Sequence, residues 1–408
     1  MAPVAAAPVT LSAGAAERVR WATGGAADPC FQCGACTGTC PWNLVRDEPL
    51  SVRQLVRAAQ LGLDSGNGAV WLCTGCGACE AACPRGVPVA DVMTGLRRLA
   101  WEARKVPAGL PSLMWSCHWN GNPFGAPPSE RTKWAKAAPV ESFDAAKHDW
   151  LLFVGCEGAY DRRAQKVVRA LATLLRHAGL TFGTLGDAEP CCGDCVAALG
   201  QTAYQAEMAE ATRKLLGEKK VARIVTVSPH CWDAFTRRIP AGHVAPRAVH
   251  YTQLLAELVR DGKLSFPHRL ALRAAFHDPC VLGRRGGEYE APRALLGAVP
   301  GLELVEFPRS RETALCCGGG GGRMFLETPA AERLANLRVP EAKALGLQAV
   351  ATACPFCISC LEDSMRTNAP EVRVLDVAEI LAAALQTGHS HGEMFEVERW
   401  YGKDKAGS

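Results

Sequence analysis

Eight of the chain's 20 cysteines fall into two copies of one spacing. Cys30, Cys33, Cys36 and Cys40 read C-x2-C-x2-C-x3-C and are followed by Pro41. Cys73, Cys76, Cys79 and Cys83 repeat the run and are followed by Pro84. A chain of 408 residues can bury a core without covalent staples, so a disulfide framework is a poor explanation. Two identical runs, each with its Pro, are equally poor zinc sites and point to iron–sulfur clusters. Gly34, Ala35, Gly38, Gly75, Gly77 and Ala78 are small enough to let backbone N–H groups approach the sulfurs.

A tight C-x2-C-x2-C loop places three thiolates on three corners of one cubane. The fourth Cys lies too far along the chain, and in two-cluster ferredoxins it binds the other cluster. This logic assigns Cys30, Cys33, Cys36 and Cys83 to one [4Fe–4S] cluster, and Cys73, Cys76, Cys79 and Cys40 to a second. Between the runs, Val52, Leu55, Val56 and Ala59 recur at helical spacing behind Ser51, a good N-cap. Another helical run follows Pro88, over 89–105. The unit over 17–108 therefore resembles the all-helical two-cluster ferredoxin domain rather than the small β-hairpin ferredoxins.

The remaining cysteines mark an internal duplication. A short apolar strand at 149–154 leads to Cys156, a helix at 164–178 follows, and then come Cys191-Cys192-Gly193 and a strand at 223–227 ending in Ser228-Pro229-His230-Cys231. The second copy runs from a strand at 274–277 into Asp278-Pro279-Cys280, through Cys316-Cys317-Gly318, to a strand at 347–352 and Cys354-Pro355-Phe356-Cys357. The offsets are 124 (156 to 280), 125 (191 to 316) and 126 (231 to 357). Alternating strand and helix predicts two α/β units with parallel sheets, over 148–265 and 266–388. The cysteines fall just after strands, where open α/β sheets place their sites. Residues 109–147 form a linker carrying Gly121-Asn122-Pro123-Phe124-Gly125, with Arg131 and Trp134 beyond it. Residues 1–16, rich in Ala and Pro, read as a flexible leader, and 389–408 as a polar tail with Trp400-Tyr401, an arm for a partner.

This pattern resembles the CCG, or cysteine-rich, domain of the heterodisulfide reductase family, and the order of helical ferredoxin followed by two CCG halves is also that family's. The resemblance covers residues 25–388, and the GNPFG segment looks more like the heterodisulfide reductase side than the glycolate oxidase side. It implies that a complete CCG motif holds a non-cubane [4Fe–4S] cluster, and Cys280, Cys316, Cys317, Cys354 and Cys357 match all five positions. In the first half Cys156, Cys191, Cys192 and Cys231 match, but Ser228 stands where the first Cys of the C-x2-C pair belongs, and Cys195 is extra. That leaves three readings of the first site: another cluster, a zinc ion, or an empty relic.

The implied function is an iron–sulfur oxidoreductase subunit that reduces or forms a disulfide at the second site. Cys316, Cys317 and His277 are its candidate catalytic residues. The rival is a pure electron-transfer subunit linking a dehydrogenase, hydrogenase or electron-transfer flavoprotein to quinone. Implied partners are a membrane cytochrome b-type or other electron carrier, a hydrogenase or a flavoprotein, with a thiol, disulfide or sulfur-carrier protein as substrate. A cytoplasmic protein held peripherally at the inner membrane by a partner is expected. Composition fits: 48% hydrophobic and 21% charged residues describe a globular chain, and a net charge of +4 with no dense Lys/Arg run gives no reason to expect nucleic acid. No stretch of 18 consecutive apolar residues suggests a membrane span.

Weaker signals complete the reading. The five glycines of 318–322 lack the Lys-Ser/Thr of a P-loop and read as close backbone approach to a cluster. His230 and His277 are either proton donors or hydrogen-bonded neighbours of a cluster. Arg284 and Arg285 either meet an acidic substrate or lie in a solvated loop. Cys117 and Cys360 read as buried thiols outside the motifs. Eight of the ten Trp lie within 21–150, as core, shield or interface.

Overall fold

The computed structural model describes residues 11–63, 68–136, 139–239 and 246–385. The tail over 389–408 and the first ten residues of the expected leader lie outside the described residues.

The described residues of 11–136 contain helices and no strand. Helix Val52–Leu61 forms as its sequence dictates. The Ser51 hydroxyl accepts from the Gln54 N–H at 3.3 Å, and Val52, Leu55, Val56 and Ala59 are buried. Helix Val89–Glu102 follows Pro88 and buries Val92, Met93 and Leu96. Helix Ala13–Thr23 begins inside the segment expected to be a flexible leader. Ser12 caps it through the Ala15 N–H, and its alanines have the highest intrinsic helix propensity, so 13–16 are structured. Helix Gly109–Trp119 occupies the expected linker.

Two four-stranded parallel sheets follow. The first comprises β1 (Trp150–Phe153), β2 (Phe182–Gly183), β3 (Arg223–Thr226) and β4 (Arg247–His250), in the order β2-β1-β3-β4. The second comprises β5 (Arg273–Phe276), β6 (Glu303–Val305), β7 (Ala349–Thr352) and β8 (Arg373–Asp376), in the order β6-β5-β7-β8. The registers correspond: Leu151 pairs with Ile224 in one, and Ala274 with Ala349 in the other. β1 and β7 are buried throughout, as strands covered on both faces must be.

The two halves share one apolar core. Helix Ala164–His177 of the first packs on helix Val377–Leu385 of the second, with Leu171, Leu174, Ala378 and Leu381 fully buried. Polar bonds join them as well. The Tyr251 hydroxyl donates to Asp376 Oδ1 at 2.6 Å, and Arg163 Nη1 donates to Glu379 Oε1 at 2.7 Å.

The helical unit is fastened to both halves by buried arginines. Arg97 donates to the carbonyls of Val70 (3.1 Å) and Cys73 (2.5 Å) in its own unit, of Ala198 (2.7 Å) in the first half and of Gly321 (3.0 Å) in the second. Arg284 donates to the Cys76 carbonyl at 2.7 Å and the Ala314 carbonyl at 2.6 Å. Arg285 pairs with Asp233 at 3.1 Å and reaches the Gly75 carbonyl at 3.3 Å. Both are therefore docking residues, neither substrate contacts nor a solvated loop. The glycine run serves the same junction. A Cβ at Gly320 would stand 2.5 Å from the Thr74 carbonyl oxygen, and one at Gly321 would collide with that of Cys73. The backbone approach expected there is also made to the cysteines, the Gly318 N–H standing 3.3 Å from Cys316 Sγ, while Gly320 and Gly321 approach the ferredoxin loop.

Candidate metal centres

In the helical unit, each cysteine loop turns through a glycine at positive φ. Gly34 (89°) and Gly77 (74°) start the short helices Ala35–Gly38 and Ala78–Ala81, a left-handed step that other residues make only with strain. The thiols gather around two enclosed spaces. Cys40, Cys73, Cys76 and Cys79 line one, and Cys30, Cys33, Cys36 and Cys83 line the other. Backbone N–H groups of Gln32, Gly75 and Val87 each stand 3.4 Å from the sulfurs of Cys30, Cys73 and Cys83. Burial pushes the Cys40 thiol up to about 12 and that of Cys79 further still, with neighbouring cysteines adding like-charge repulsion. Cys73 is raised as well, whereas the neighbouring Cys316 lowers Cys76 to about 5; all four can be thiolates together only around a positive centre, which is what an iron–sulfur cluster supplies. The donor sets fit.

The second cysteine-rich half draws its thiols from four places. Cys280 follows β5, Cys316 and Cys317 follow β6, Cys354 follows β7, and Cys357 lies in the first turn of helix Pro355–Asn368. Cys317 Sγ is 3.3 Å from Cys357 Sγ, these two and a His277 ring nitrogen lie within 4.8 Å of one another, and the thiols of Cys280, Cys316 and Cys354 are near enough to interact with this group. All five matching cysteines therefore come together. Cys360 joins them through a bond to Cys317. His277 Nδ1 takes a hydrogen bond from Arg338 Nε at 3.4 Å, and the ring also bonds to Cys317. Burial, with the Arg338 charge, holds its pKa below the ordinary histidine range, so the imidazole is neutral.

The first half gathers six thiols as well. The Cys191 thiol lies close enough to those of Cys117, Cys156, Cys192 and Cys195 to interact with each, and Cys192 likewise with Cys231. Cys117 arrives from helix Gly109–Trp119. Arg131 Nη2 stands 3.4 Å from Cys156 Sγ and pairs at 2.9 Å with Glu189, both side chains being almost wholly buried. Glu189 also accepts the N–H groups of Val154 and Gly155, each at 2.9 Å. In the GNPFG segment, the wholly buried Asn122 accepts from the Phe124 N–H at 2.9 Å and donates to the Ala126 carbonyl at 2.7 Å. Ser228 caps helix Pro229–Asp233 by accepting the His230 N–H at 3.3 Å. His230 reaches across to bond Cys354 of the other half, its Nδ1 held 2.7 Å from Asp194.

Two residues read as plain buried thiols, Cys117 and Cys360, thus sit within the cysteine groups. Cys360 had a readable signal: it stands three residues beyond Cys357, on the same face of one helix. Cys117 had none, because the distance from a linker helix to the first sheet is not written in any local spacing.

The second site faces open space. A cavity of about 810 Å³ is walled by Cys317, Cys360, Arg323, Phe325 and Trp42. Trp42 lies between two sites, since it also lines the space of Cys40, Cys73, Cys76 and Cys79. The second site also touches the helical unit directly: Cys316 Sγ stands 3.5 Å from Thr74 Oγ1 and packs in one buried cluster with Cys76. Of the other tryptophans, Trp71, Trp134 and Trp150 are core, while Trp21, Trp115 and Trp119 are exposed. Among the described residues no helix is long and apolar enough to cross a membrane.

Comparison with known proteins agrees with this layout. The cysteine-rich domain (CCG) model matches residues 150–235 and 274–362, and the 4Fe-4S dicluster domain model matches 26–87. The probable iron-sulfur-binding oxidoreductase FadF of Bacillus subtilis is 36% identical over 72% of this chain and 43% of its own length. EtfAB:quinone oxidoreductase of Syntrophomonas wolfei is 33% identical over 65% of this chain and 39% of its own. A subunit of the dihydromethanophenazine:CoB–CoM heterodisulfide reductase of Methanosarcina barkeri is 30% identical over 68% of both chains. The chain thus spans about two fifths of the length of the first two relatives.

Proposed function

The chain belongs to the iron–sulfur oxidoreductase family that includes this heterodisulfide reductase subunit, and from that premise we propose that its second cysteine-rich half reduces, or in reverse forms, a disulfide with electrons received through the helical unit. Cys30, Cys33, Cys36 and Cys83 would hold one [4Fe–4S] cluster, and Cys40, Cys73, Cys76 and Cys79 the other. Cys280, Cys316, Cys317, Cys354 and Cys357 would hold a non-cubane cluster. When bound, such clusters supply one-electron redox chemistry at low potential.

The observation that carries the reading is the junction at Cys316. Its sulfur stands 3.5 Å from Thr74 Oγ1 and packs in one buried cluster with Cys76, which brings a thiol of the ferredoxin pocket near a thiol of the second site. Arg284, Arg97 and the close approach of the glycine run hold that junction together. With Arg338 donating to its Nδ1, His277 carries its proton on Nε2, where it is available to a sulfur at Cys317. In the first half, six thiols exceed the four that a closed zinc site takes, which favours a further cluster there over zinc. The electron source would be a cytochrome b-type, hydrogenase or flavoprotein partner, holding this chain at the membrane.

The test is a viologen-driven assay on anaerobically purified protein carrying about twelve iron atoms or more. The reading expects reduction of a small disulfide and a paramagnetic signal from the second site that changes on adding thiol. Similarity to EtfAB:quinone oxidoreductase favours one rival, an electron-transfer subunit with no substrate of its own. A signal indifferent to every thiol, disulfide and persulfide, with normal electron flow to quinone, would establish that rival.

A further inference from the structure

The cavity beside Cys317 and Cys360 contains a buried arginine that no carboxylate touches directly; the one whose field reaches it, Glu332, is paired with Arg46. Arg323 stands in its wall with 9% of its surface exposed. Its Nη2 donates to the Glu327 carbonyl at 2.8 Å and to the Thr328 hydroxyl, while its Nε is buried without any partner. The guanidinium carbon lies 5.6 Å from the ring of Trp42. Among the described residues Arg323 has no ion pair, whereas its cationic neighbours are matched: Arg333 with Asp363, and Arg46 with Glu332. Glu327 also lines the cavity but meets Arg323 through its backbone.

Burying a guanidinium is costly unless an anion completes it. Cation–π contact with Trp42 and two neutral acceptors offset part of that cost and leave the buried Nε unpaired. The fork geometry of arginine suits a carboxylate, phosphate or sulfonate. A space of about 810 Å³ is in the range that holds a small organic ligand. We infer that this cavity binds a small acidic molecule, with its anionic group on Arg323 and its other end beside Cys317 and Cys360. A sulfur at that other end would place the reacting atom at the second site, so this part of the inference rests on the function proposed above. The acid end does not. Arg323 is then the residue that selects substrates, and Trp42 makes the pocket a joint product of the ferredoxin unit and the second half.

The probes are 3-mercaptopropionate, its neutral analogue 3-mercaptopropionamide, and propionate, which has no sulfur. Each is titrated into cluster-loaded protein, read by the paramagnetic signal and by calorimetry. Wild-type protein should bind the mercapto acid at least about tenfold more tightly than the amide, the worth of one charge-assisted hydrogen bond. Arg323→Gln should erase that preference, and Arg323→Lys should restore part of it. Equal binding of acid and amide by wild type, or a preference that survives in R323Q, would overturn the inference, and the wild-type arm stands even if a variant fails to fold. Calorimetric binding of propionate to wild type but not to R323Q would uphold the acid site even where no disulfide is turned over. In that case only the proposed reaction would fall.

Discussion

The two cysteine-rich halves have the same strand order, the same register and six thiols each, yet they are built for different surroundings. The first set closes inward. Cys117 comes from a linker helix, the buried Arg131–Glu189 pair braces Cys156, and Ser228 is spent on capping a helix. The second set opens outward, to a cavity through Cys317 and Cys360 and to the ferredoxin pocket through Cys316. Duplication supplied one scaffold twice, and the residues around each copy decided which one a substrate could reach.

The sharpest way to break this contrast is to remove one thiol from each half. Cys317→Ser should lower viologen-driven disulfide reduction at least about 100-fold, while Cys191→Ser stays within about tenfold of wild type. In C317S the two cubanes should still be reducible. Equal losses in the two variants would mean that both halves share the reaction.

Next in size is the bracing. Arg131→Met leaves Glu189 buried with its two N–H donors but without its counter-charge, and should cost about 3–5 kcal/mol in denaturant unfolding. In the second half the buried Arg293 pairs with Asp278 at 2.7 Å and Glu306 at 2.6 Å, and Arg293→Met should cost less, about 1–3 kcal/mol. There Asp278 keeps a backbone N–H from Arg311, and Glu306 is half-exposed. A larger loss in R293M would reverse the assignment of the first half as the rigid one.

The seam between the halves should respond to pH. Burial raises the Asp376 pKa from 3.8 to about 8, with Glu379 adding repulsion, while Tyr251 and Arg163 work against the rise. A carboxyl raised in the folded state stabilises fully below its unfolded pKa and loses that contribution as pH climbs. Stability should therefore fall between about pH 4 and pH 8, by at most about 1.4 kcal/mol per pH unit from this group. Asp376→Asn should flatten that decline, and an unchanged slope would refute Asp376 as its origin.

The smallest effect is expected from Ser228→Cys, which restores the missing C-x2-C pair. It should cost about 1 kcal/mol through the lost cap. It should add no iron, because Cys117 and Cys195 already bring the first set to six thiols. A gain of about four iron atoms per chain would show instead that the first half is empty for want of one ligand.

Most of this architecture was legible in the sequence wherever a fixed spacing encodes it. The cysteine runs, the 125-residue repeat, the Ser51 cap and the strands at 149–154 and 223–227 are all local or periodic signals. What escaped was long-range and made by single residues. Cys117 meets a loop 74 positions away, at Cys191, and Arg97 meets a carbonyl 224 positions away, at Gly321. No window of sequence contains both ends of such a contact. Arg284 and Arg285 were ambiguous for the same reason, since their partners at Cys76 and Gly75 belong to another unit.

Arg97 has a further consequence, for biogenesis. One side chain gathers carbonyls from all three units, and it does so at Cys73, directly over a ferredoxin loop. Cys76 is buried under the same junction, whereas Cys33 of the other loop is exposed. The two loops therefore differ in when an assembly machine can reach them. Iron delivered to the folded apoprotein should enter the set containing Cys33 readily. The set containing Cys73 should fill only before the three units close, or by prising them apart. Burial at this junction thus gives the two centres different accessibility, and an apoprotein that folds before iron arrives should take up the outer centre more readily than the inner one.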